Sequence, residues 1–153
     1  NGVEFDFTSM ITDNWTLSGA ASFLESELVE DYRRSASSPE PDAPAGSRLP
    51  RVPEVKWNVS TRYTFANDWF AQAAYMYTGD SYNDLFGGFR QLQGSYDVVN
   101  ASFGLERSNW TAELYVQNLT DERGDVWIND VNWDERVTIN QPRTIGFRWQ
   151  QRF

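Results

Sequence analysis

Cysteine and histidine are both absent from the 153 residues of the chain. Without cysteine there can be no disulfide framework, no thiol nucleophile and no thiolate metal site. Without histidine the chain lacks the commonest general base and zinc ligand, and its serines have no histidine partner for a catalytic triad. We therefore predict that the protein is not an enzyme, and the sequence indicates no catalytic residue, metal site or cofactor.

Long apolar runs are also missing, since no stretch approaches the roughly 20 residues that a membrane-spanning helix needs. The mean hydropathy of −0.62 agrees with this. Basic residues are few, and the net charge of −9 argues against a nucleic-acid partner, because phosphate neutralisation requires basic clusters. No signal peptide opens the chain, and residues 1–4 already follow a strand pattern, so we expect a piece of a longer protein.

What the sequence does have is alternation of polar and apolar residues, the pattern of a β-strand with two different faces. In the final segment Ile145, Phe147, Trp149 and Phe153 alternate with small, polar or charged residues. A terminal aromatic is typical of a membrane barrel, where the last strand pairs with the first and ends at the bilayer interface. Six earlier segments alternate similarly, at residues 2–11, 15–29, 55–65, 69–78, 99–106 and 110–117.

Short polar turns recur directly before a tryptophan. They are Asp13-Asn14 before Trp15, Asn67-Asp68 before Trp69 and Ser108-Asn109 before Trp110. Such residues favour tight hairpin turns. Long polar connections lie between these hairpins, at residues 31–52, 79–95 and 120–142. Short turns at one end and long loops at the other are typical of outer-membrane barrels.

The fold predicted from these patterns is all-β, an antiparallel up-and-down transmembrane β-barrel segment of about seven strands. Aromatic residues at the tight-turn end would then form a girdle at one membrane boundary. A soluble β-sandwich also has alternating strands, but long strands with such asymmetric connections are unusual in it. Bacterial barrels have even strand numbers, so an odd number predicts part of a larger barrel. The predicted girdle residues are Trp15, Phe65, Trp69, Trp110 and Phe153.

Four short motifs carry a resemblance to a known family. They are Asn118-Leu119-Thr120-Asp121-Glu122, Pro142-Arg143-Thr144-Ile145-Gly146, Leu49-Pro50-Arg51-Val52-Pro53, and Gly94-Ser95-Tyr96 followed by Val99-Asn100. Together with the terminal aromatic, and in this order, they resemble the C-terminal part of TonB-dependent outer-membrane receptors. The resemblance implies a barrel of about 22 strands, of which residues 1–153 would be the C-terminal portion without the N-terminal strands and the plug domain.

The same resemblance implies a function and a set of partners. The receptor would sit in the outer membrane of a Gram-negative bacterium and import a scarce nutrient, either siderophore-bound iron, cobalamin or a carbohydrate, with TonB-coupled energy. Its partners would be lipid and lipopolysaccharide, its own plug and remaining strands, the TonB complex through the missing N-terminus, and the barrel insertion machinery. For the insertion machinery, the implied assembly signal is Phe147, Trp149 and Phe153. The alternatives are a soluble or secreted β-sandwich binding module, or another outer-membrane barrel protein.

The predicted loops contain two further candidate sites. Aromatic residues there could stack on a sugar or an aromatic siderophore, although packing between neighbouring loops is an equally good explanation. The acidic last loop has oxygen ligands of the kind that calcium prefers, but no regular ligand spacing, so a solvated loop face is favoured. The loop aromatics are Tyr82, Phe86, Phe89, Trp127 and Trp133, and the acidic residues are Asp121, Glu122, Asp125, Asp130, Asp134 and Glu135.

Overall fold

The computed structural model describes residues 1–88, 90–131 and 134–153. These residues form eleven strands, which we number in chain order. They are β1 (Gly2–Thr12), β2 (Trp15–Leu24), β3 (Val55–Thr64), β4 (Trp69–Thr78), β5 (Ser81–Tyr82), β6 (Leu92–Gln93), β7 (Tyr96–Glu106), β8 (Trp110–Gln117), β9 (Asp125–Val131), β10 (Asp134–Ile139) and β11 (Thr144–Gln151).

Seven of these strands form one antiparallel sheet in the order β1-β2-β3-β4-β7-β8-β11. Each strand therefore pairs with the next long strand along the chain, and β1 and β11 form the two edges. The remaining strands form two small ribbons, β5-β6 and β9-β10. The prediction of an all-β, up-and-down sheet of seven long strands is confirmed, and no second sheet of similar size packs against it within the described residues, as a sandwich would require.

Among the described residues, no helix is both long and apolar enough to cross a membrane.

Tight turns join the strands at one end of the sheet, as predicted. β1 turns into β2 at residues 13–14, β3 into β4 through a 3₁₀ turn at Ala66–Asp68, and β7 into β8 at residues 107–109. In the second of these, Asn67 and Asp68 have φ of 61° and 67°. Short side chains that can bond locally tolerate this left-handed conformation better than others do. The sequence therefore places suitable residues where the chain reverses.

One prediction about the other end of the sheet was wrong. The segment predicted as a strand over residues 15–29 leaves the sheet at Leu24, because β3 begins at Val55, opposite Phe23. Beyond that point the Leu28 amide donates to Ser47 O instead. The last connection is long, as predicted, and it contains the β9–β10 hairpin, which was not predicted.

The two faces of the sheet differ as the alternation predicted. Strand pairing extends apolar rows across the sheet, such as Val59–Tyr75–Val99 and Phe103–Leu114–Phe147. Leu114 is 59% exposed and Phe147 66% exposed, and Phe70 is the one apolar side chain buried in the described part of this sheet. A soluble monomer does not leave such a continuous apolar surface uncovered.

The opposite face is polar, and two of its arginines pair with glutamates of the same face. Arg62 Nη2 lies 2.7 Å from Glu106 Oε2, and Arg148 Nη1 lies 2.7 Å from Glu113 Oε2. The Arg62 guanidinium also lies 3.8 Å from the centre of the Phe70 ring. That ring packs on Gly104, where a Cβ atom would lie 2.6 Å from it. Polar residues and paired charges of this kind are typical of the face of a barrel strand that borders a water-filled lumen.

The difference between the faces can be tested at two neighbouring positions in the middle of β3. Val59 lies on the apolar face, so Val59→Arg in the complete barrel should destabilise it by about 2–4 kcal/mol if that face contacts the bilayer midplane. Asn58→Arg, on the polar face, is the control and should cost much less. Folding titrations into lipid vesicles measure both, and equal costs would contradict a transmembrane wall.

Candidate functional site

The long connections pack together at the end of the sheet opposite the tight turns. We call them loop A (residues 25–54), loop B (79–95) and loop C (118–143). Loops A and B meet where the Tyr32 and Phe86 rings lie 5.8 Å apart. The Arg34 guanidinium covers the Phe86 ring at 3.7 Å from its centre. An arginine cation over an aromatic face is attracted by the negative potential of that face.

Arg48 of loop A contacts Glu54 within the same loop and Asp80 of loop B. Its Nε lies 2.8 Å from Glu54 Oε1, and its Nη1 lies 2.9 Å from Asp80 Oδ2. Its Nη2 donates to the Asp80 carbonyl at 3.0 Å. The Arg48 side chain is 20% exposed, less than those of Arg33 and Arg62, which are both 35% exposed. One planar guanidinium therefore joins both loops with several of its donors.

Tyr82 extends this contact zone toward loop C. The Arg90 guanidinium lies 3.6 Å from the centre of the Tyr82 ring, and Arg48 approaches the same ring at 5.4 Å. The Tyr82 carbonyl accepts the Arg51 amide at 2.7 Å. Arg51, at φ 62°, places its guanidinium 4.9 Å from the Trp127 ring centre in loop C. The three loops thus form one continuous layer.

Hydrogen bonds between loops B and C complete the layer. Gln91 Nε2 donates to Glu135 Oε2 at 3.1 Å, and Gln93 Nε2 donates to the Asp125 carbonyl at 3.4 Å. Gln93 is 2% exposed, so this amide is an internal part of the layer.

The structure brings three of the predicted ligand-binding aromatics, Tyr82, Phe86 and Trp127, into this layer. Arginine groups lie over each of the three rings, which supports the packing explanation for Tyr82 and Phe86. Trp127 remains 38% exposed, so it is the best placed of the three to contact a ligand. Phe89 and Trp133 lie outside the described residues. A ligand-binding role for all five stays a prediction.

The arginines of this layer were missed in the sequence, where they stand far apart in an acidic chain. Their one available signal was position: Arg34, Arg48, Arg51 and Arg90 all lie in predicted long connections, whereas Arg62 and Arg148 lie in strands. Sequence alone could not show which ring each guanidinium would cover.

Two of the acidic residues of loop C, Asp121 and Glu135, have carboxylate groups that contact a cation or an amide. Asp121 Oδ1 accepts the Arg143 amide at 2.9 Å, and its Oδ2 lies 3.1 Å from Arg123 Nη2. The Arg143 hydrogen bond, followed by Arg123, lowers the pKa of the Asp121 carboxyl. Among the described residues, no group of three or more acidic side chains is arranged to hold a metal ion. The side chains of Asp130 and Asp134 are outside the described part.

The predicted girdle residues lie at the tight-turn end of the sheet. Trp69 stacks on Phe103 with ring centres 5.0 Å apart, and Trp110 stacks on Trp149 at 4.7 Å. Phe65 contacts Tyr63 edge to face at 4.8 Å, and Trp15 Nε1 donates to Thr61 Oγ1 at 2.7 Å. Phe153 follows Arg152, whose amide donates to Asn109 O in a tight turn. Their contact with a membrane stays a prediction.

A second aromatic group near the loop end was not identified as a girdle from the sequence. Trp57 stacks on Tyr75 at 5.1 Å and on Tyr77 at 5.9 Å between ring centres. All three side chains lie on the apolar face. Aromatic groups near both ends of an apolar band are typical of proteins that cross a bilayer.

These features together define a class of protein. A meandering sheet with one apolar and one polar face, tight turns at one end and long loops packed together at the other is typical of the wall of an outer-membrane-type β-barrel. A sequence model of the family described as TonB dependent receptor-like, beta-barrel, matches residues 1–119. The chain belongs to this family.

Solved structures of receptors show the same fold at low sequence identity. The siderophore receptor PiuA from Acinetobacter baumannii superposes with a TM-score of 0.77 and 22% identity, over 97% of this chain and 21% of PiuA. The ferric-catecholate import receptor Fiu from E. coli K12 gives 0.70 and 22%, over 97% and 20%. The ferric yersiniabactin uptake receptor FyuA from Yersinia pestis gives 0.72 and 19%, over 97% and 22%. The chain thus spans about a fifth of the length of these receptors.

The role of Arg48 in holding loops A and B together can be tested by substitution. Arg48→Gln removes the ion pairs with Glu54 and Asp80, which are worth about 1 kcal/mol for a partly shielded group. Local opening should therefore increase roughly fivefold, since 1.4 kcal/mol is tenfold in an equilibrium. Hydrogen exchange of the Arg51 amide, which bonds to Tyr82, measures this opening.

Arg33→Gln is the matched control, because Arg33 pairs within loop A with Asp31 at 3.5 Å. It should leave exchange of the Arg51 amide unchanged. Equal exchange in the Arg48→Gln protein and the parent would mean that Arg48 does not hold the loops together.

Proposed function

We propose that this chain is the C-terminal wall of an outer-membrane receptor that binds and imports a ferric siderophore with TonB-coupled energy. Membership of the TonB-dependent receptor-like β-barrel family over residues 1–119 carries the proposal. The siderophore class is supported by the names of the three receptors described above. Cobalamin and carbohydrate have no such support. A transport receptor also agrees with the prediction that the protein is not an enzyme.

In this proposal the chain is completed by further strands and by a plug in the lumen. Strands β1 and β11 are sheet edges, and an unpaired edge cannot remain in lipid because each free backbone group costs several kcal/mol. Additional strands would pair with both edges and close a barrel of about 22 strands. The plug would face the polar side of the sheet, and an N-terminal segment outside this chain would contact the TonB complex.

The orientation of such a receptor in the membrane follows from the tight-turn end, the loop end and the apolar face of the sheet. The apolar rows would contact lipid of the outer membrane of a Gram-negative bacterium. The aromatic group at Trp57, Tyr75 and Tyr77 would lie near the outer leaflet with its lipopolysaccharide, and the tight turns would face the periplasm.

Within the loop layer, Trp127 is the residue that we propose to contact the ligand. It combines an exposed ring with a position on loop C beside the Arg51 guanidinium. Aromatic rings add about 0.5–1.5 kcal/mol when they stack on another ring, as a catecholate siderophore would offer.

This function can be tested with the full-length receptor in a Gram-negative host grown under iron limitation. The parent receptor should bind an iron-loaded siderophore from a panel of catecholates, hydroxamates and mixed chelators, and should import it when TonB is present. Import should stop in a host without TonB while binding persists. Binding of none of the chelators, or import that persists without TonB, would contradict the proposal.

Trp127→Ala should weaken binding of an aromatic siderophore by about 2- to 10-fold, the loss of one stacking contact. Val29→Ala is the control, because Val29 lies on loop A with its side chain 93% exposed and takes part in none of the ring and ion-pair contacts described above. Unchanged affinity in the Trp127→Ala receptor would remove Trp127 from the site without affecting the transport proposal.

We also propose that Phe147, Trp149 and Phe153 form the signal that the barrel insertion machinery reads. All three are strongly exposed on the edge strand or just beyond it, where a second protein can reach them. Deleting Phe153 from the full-length receptor should lower its level in the outer membrane while synthesis continues. Quantification in fractionated membranes, with Arg152→Ala as the control, tests this, and a normal level of the deletion would count against the role.

A further inference from the structure

Alternation alone does not determine how two strands pair. A slip of one residue turns every side chain to the wrong face, but a slip of two residues keeps each side chain on its own face. A tight turn prevents the second error by fixing which residues are opposite. The terminal strand β11 has no such turn, because the whole of loop C separates it from β8.

Asn118 lies directly after β8, at the point where the chain leaves the sheet. Its Nδ2 donates to two carbonyls, Glu122 O and Gln141 O, each at 2.9 Å. Its Oδ1 accepts the Glu122 amide at 2.9 Å. Asn118 is 2% exposed, so one buried amide joins the beginning of loop C to its end.

The same residue is also tied to β7. The backbone N–H of Asn118 donates to Asn100 Oδ1 at 2.9 Å. The backbone N–H of the next residue, Leu119, donates to the Val99 carbonyl at 2.7 Å. The end of β8 is therefore fixed against β7 before it is joined to the segment that begins β11. Three parts of the chain meet at Asn118.

Asp121 makes a second connection between the two ends of loop C. Its carboxylate accepts the Arg143 amide, as described above, and Arg143 Nη1 donates to the Leu119 carbonyl at 3.3 Å. Asn118 and Asp121 have φ of 52° and 56°, a region that asparagine and aspartate tolerate better than most residues. We call Asn118, Asp121, Gln141 and Arg143 the Asn118 clasp.

We propose that the Asn118 clasp sets the register of the terminal strand against β8. A two-residue slip of β11 would move the Gln141 carbonyl by about 6–7 Å along the strand direction. That movement would separate Gln141 from Asn118 Nδ2 and leave a buried donor without its partner, which is costly. Asparagine alone combines two donors, an acceptor oxygen and tolerance of positive φ in one short side chain.

With this role for the clasp, the pairing of β11 with β8 does not depend on the length or sequence of the rest of loop C. Loop C can carry the β9–β10 hairpin and contacts to loops A and B, while the clasp closes it at its base. The motif at residues 118–122 is thereby assigned to assembly of the wall and not to ligand binding.

The register can be measured by disulfide formation in the full-length receptor. Residues 1–153 contain no cysteine, and any cysteine elsewhere in the receptor is replaced by serine. Val116→Cys with Ile145→Cys reports the observed register, in which these residues are opposite. Val116→Cys with Phe147→Cys and Leu114→Cys with Ile145→Cys report slips of two residues in either direction. Non-reducing gels after mild oxidation give the yield of each pair in folded, heat-modifiable receptor.

Asn118→Asp keeps the size of the side chain and its tolerance of positive φ but removes both donors. In this background we expect the cross-link for the observed register to fall at least threefold and a slipped cross-link to increase. Thr120→Ala, at an exposed position of the same motif, should leave all three yields unchanged. An unchanged yield in folded Asn118→Asp receptor would overturn the proposal.

If the Asn118→Asp receptor fails to fold, Asp121→Asn provides the milder variant, since it weakens the second connection only. The proposal then requires a measurable shift of cross-linking toward a slipped pair in the folded fraction. A fall in folded receptor without any slipped cross-link would mean that the clasp stabilises loop C without setting the register.

Discussion

The inter-strand backbone hydrogen bonds are the constraint on which the rest of this structure depends. The sheet is one layer thick, and Phe70 is the one apolar side chain that it buries among the described residues, so packing of a core cannot hold it in shape. What holds it is the pairing of β1 with β2 and so on to β11. In lipid this pairing is also obligatory, because no water can replace a missing partner. The pairing determines which residues are opposite one another, and so it determines the two faces of the sheet, the apolar rows across it and the ion pairs on its polar face.

Pairing also explains how the polar face remains stable without a core. Arg62 on β3 reaches across β4 to Glu106 on β7, and Arg148 on β11 is opposite Glu113 on the adjacent strand β8. Each of these arginines therefore has its counter-ion within the same wall. Ser18 and Ser60, opposite one another on β2 and β3, form a hydrogen bond of 2.7 Å. The Phe70 ring also fits on this face, because the residue opposite it on the adjacent strand is Gly104, which has no side chain.

The wall could be predicted from the sequence because its rules are local. Alternation determines the face of Val59 or Leu114, and Asn67-Asp68 before Trp69 marks a reversal, without knowledge of any distant residue. The end of β2 was not predictable in this way, since alternation continues past Leu24 while the partner strand does not. The loop layer was not predictable either, because contacts such as Arg48 with Asp80, or Arg51 with Trp127, join segments far apart in the sequence. Of the proposed site, the aromatic residues could be named in advance, but not the arginines that lie over them.

The sequential order of the sheet has a consequence for the geometry of the whole barrel. Because every strand is aligned on the one before it, offsets between neighbouring strands add up around the circumference. Their sum is the shear number, which together with the number of strands determines the tilt and radius of a closed barrel. A displacement of two residues between β8 and β11 would change the shear number by two. The cylinder that resulted would have a different cross-section, although every side chain still faced its proper solvent.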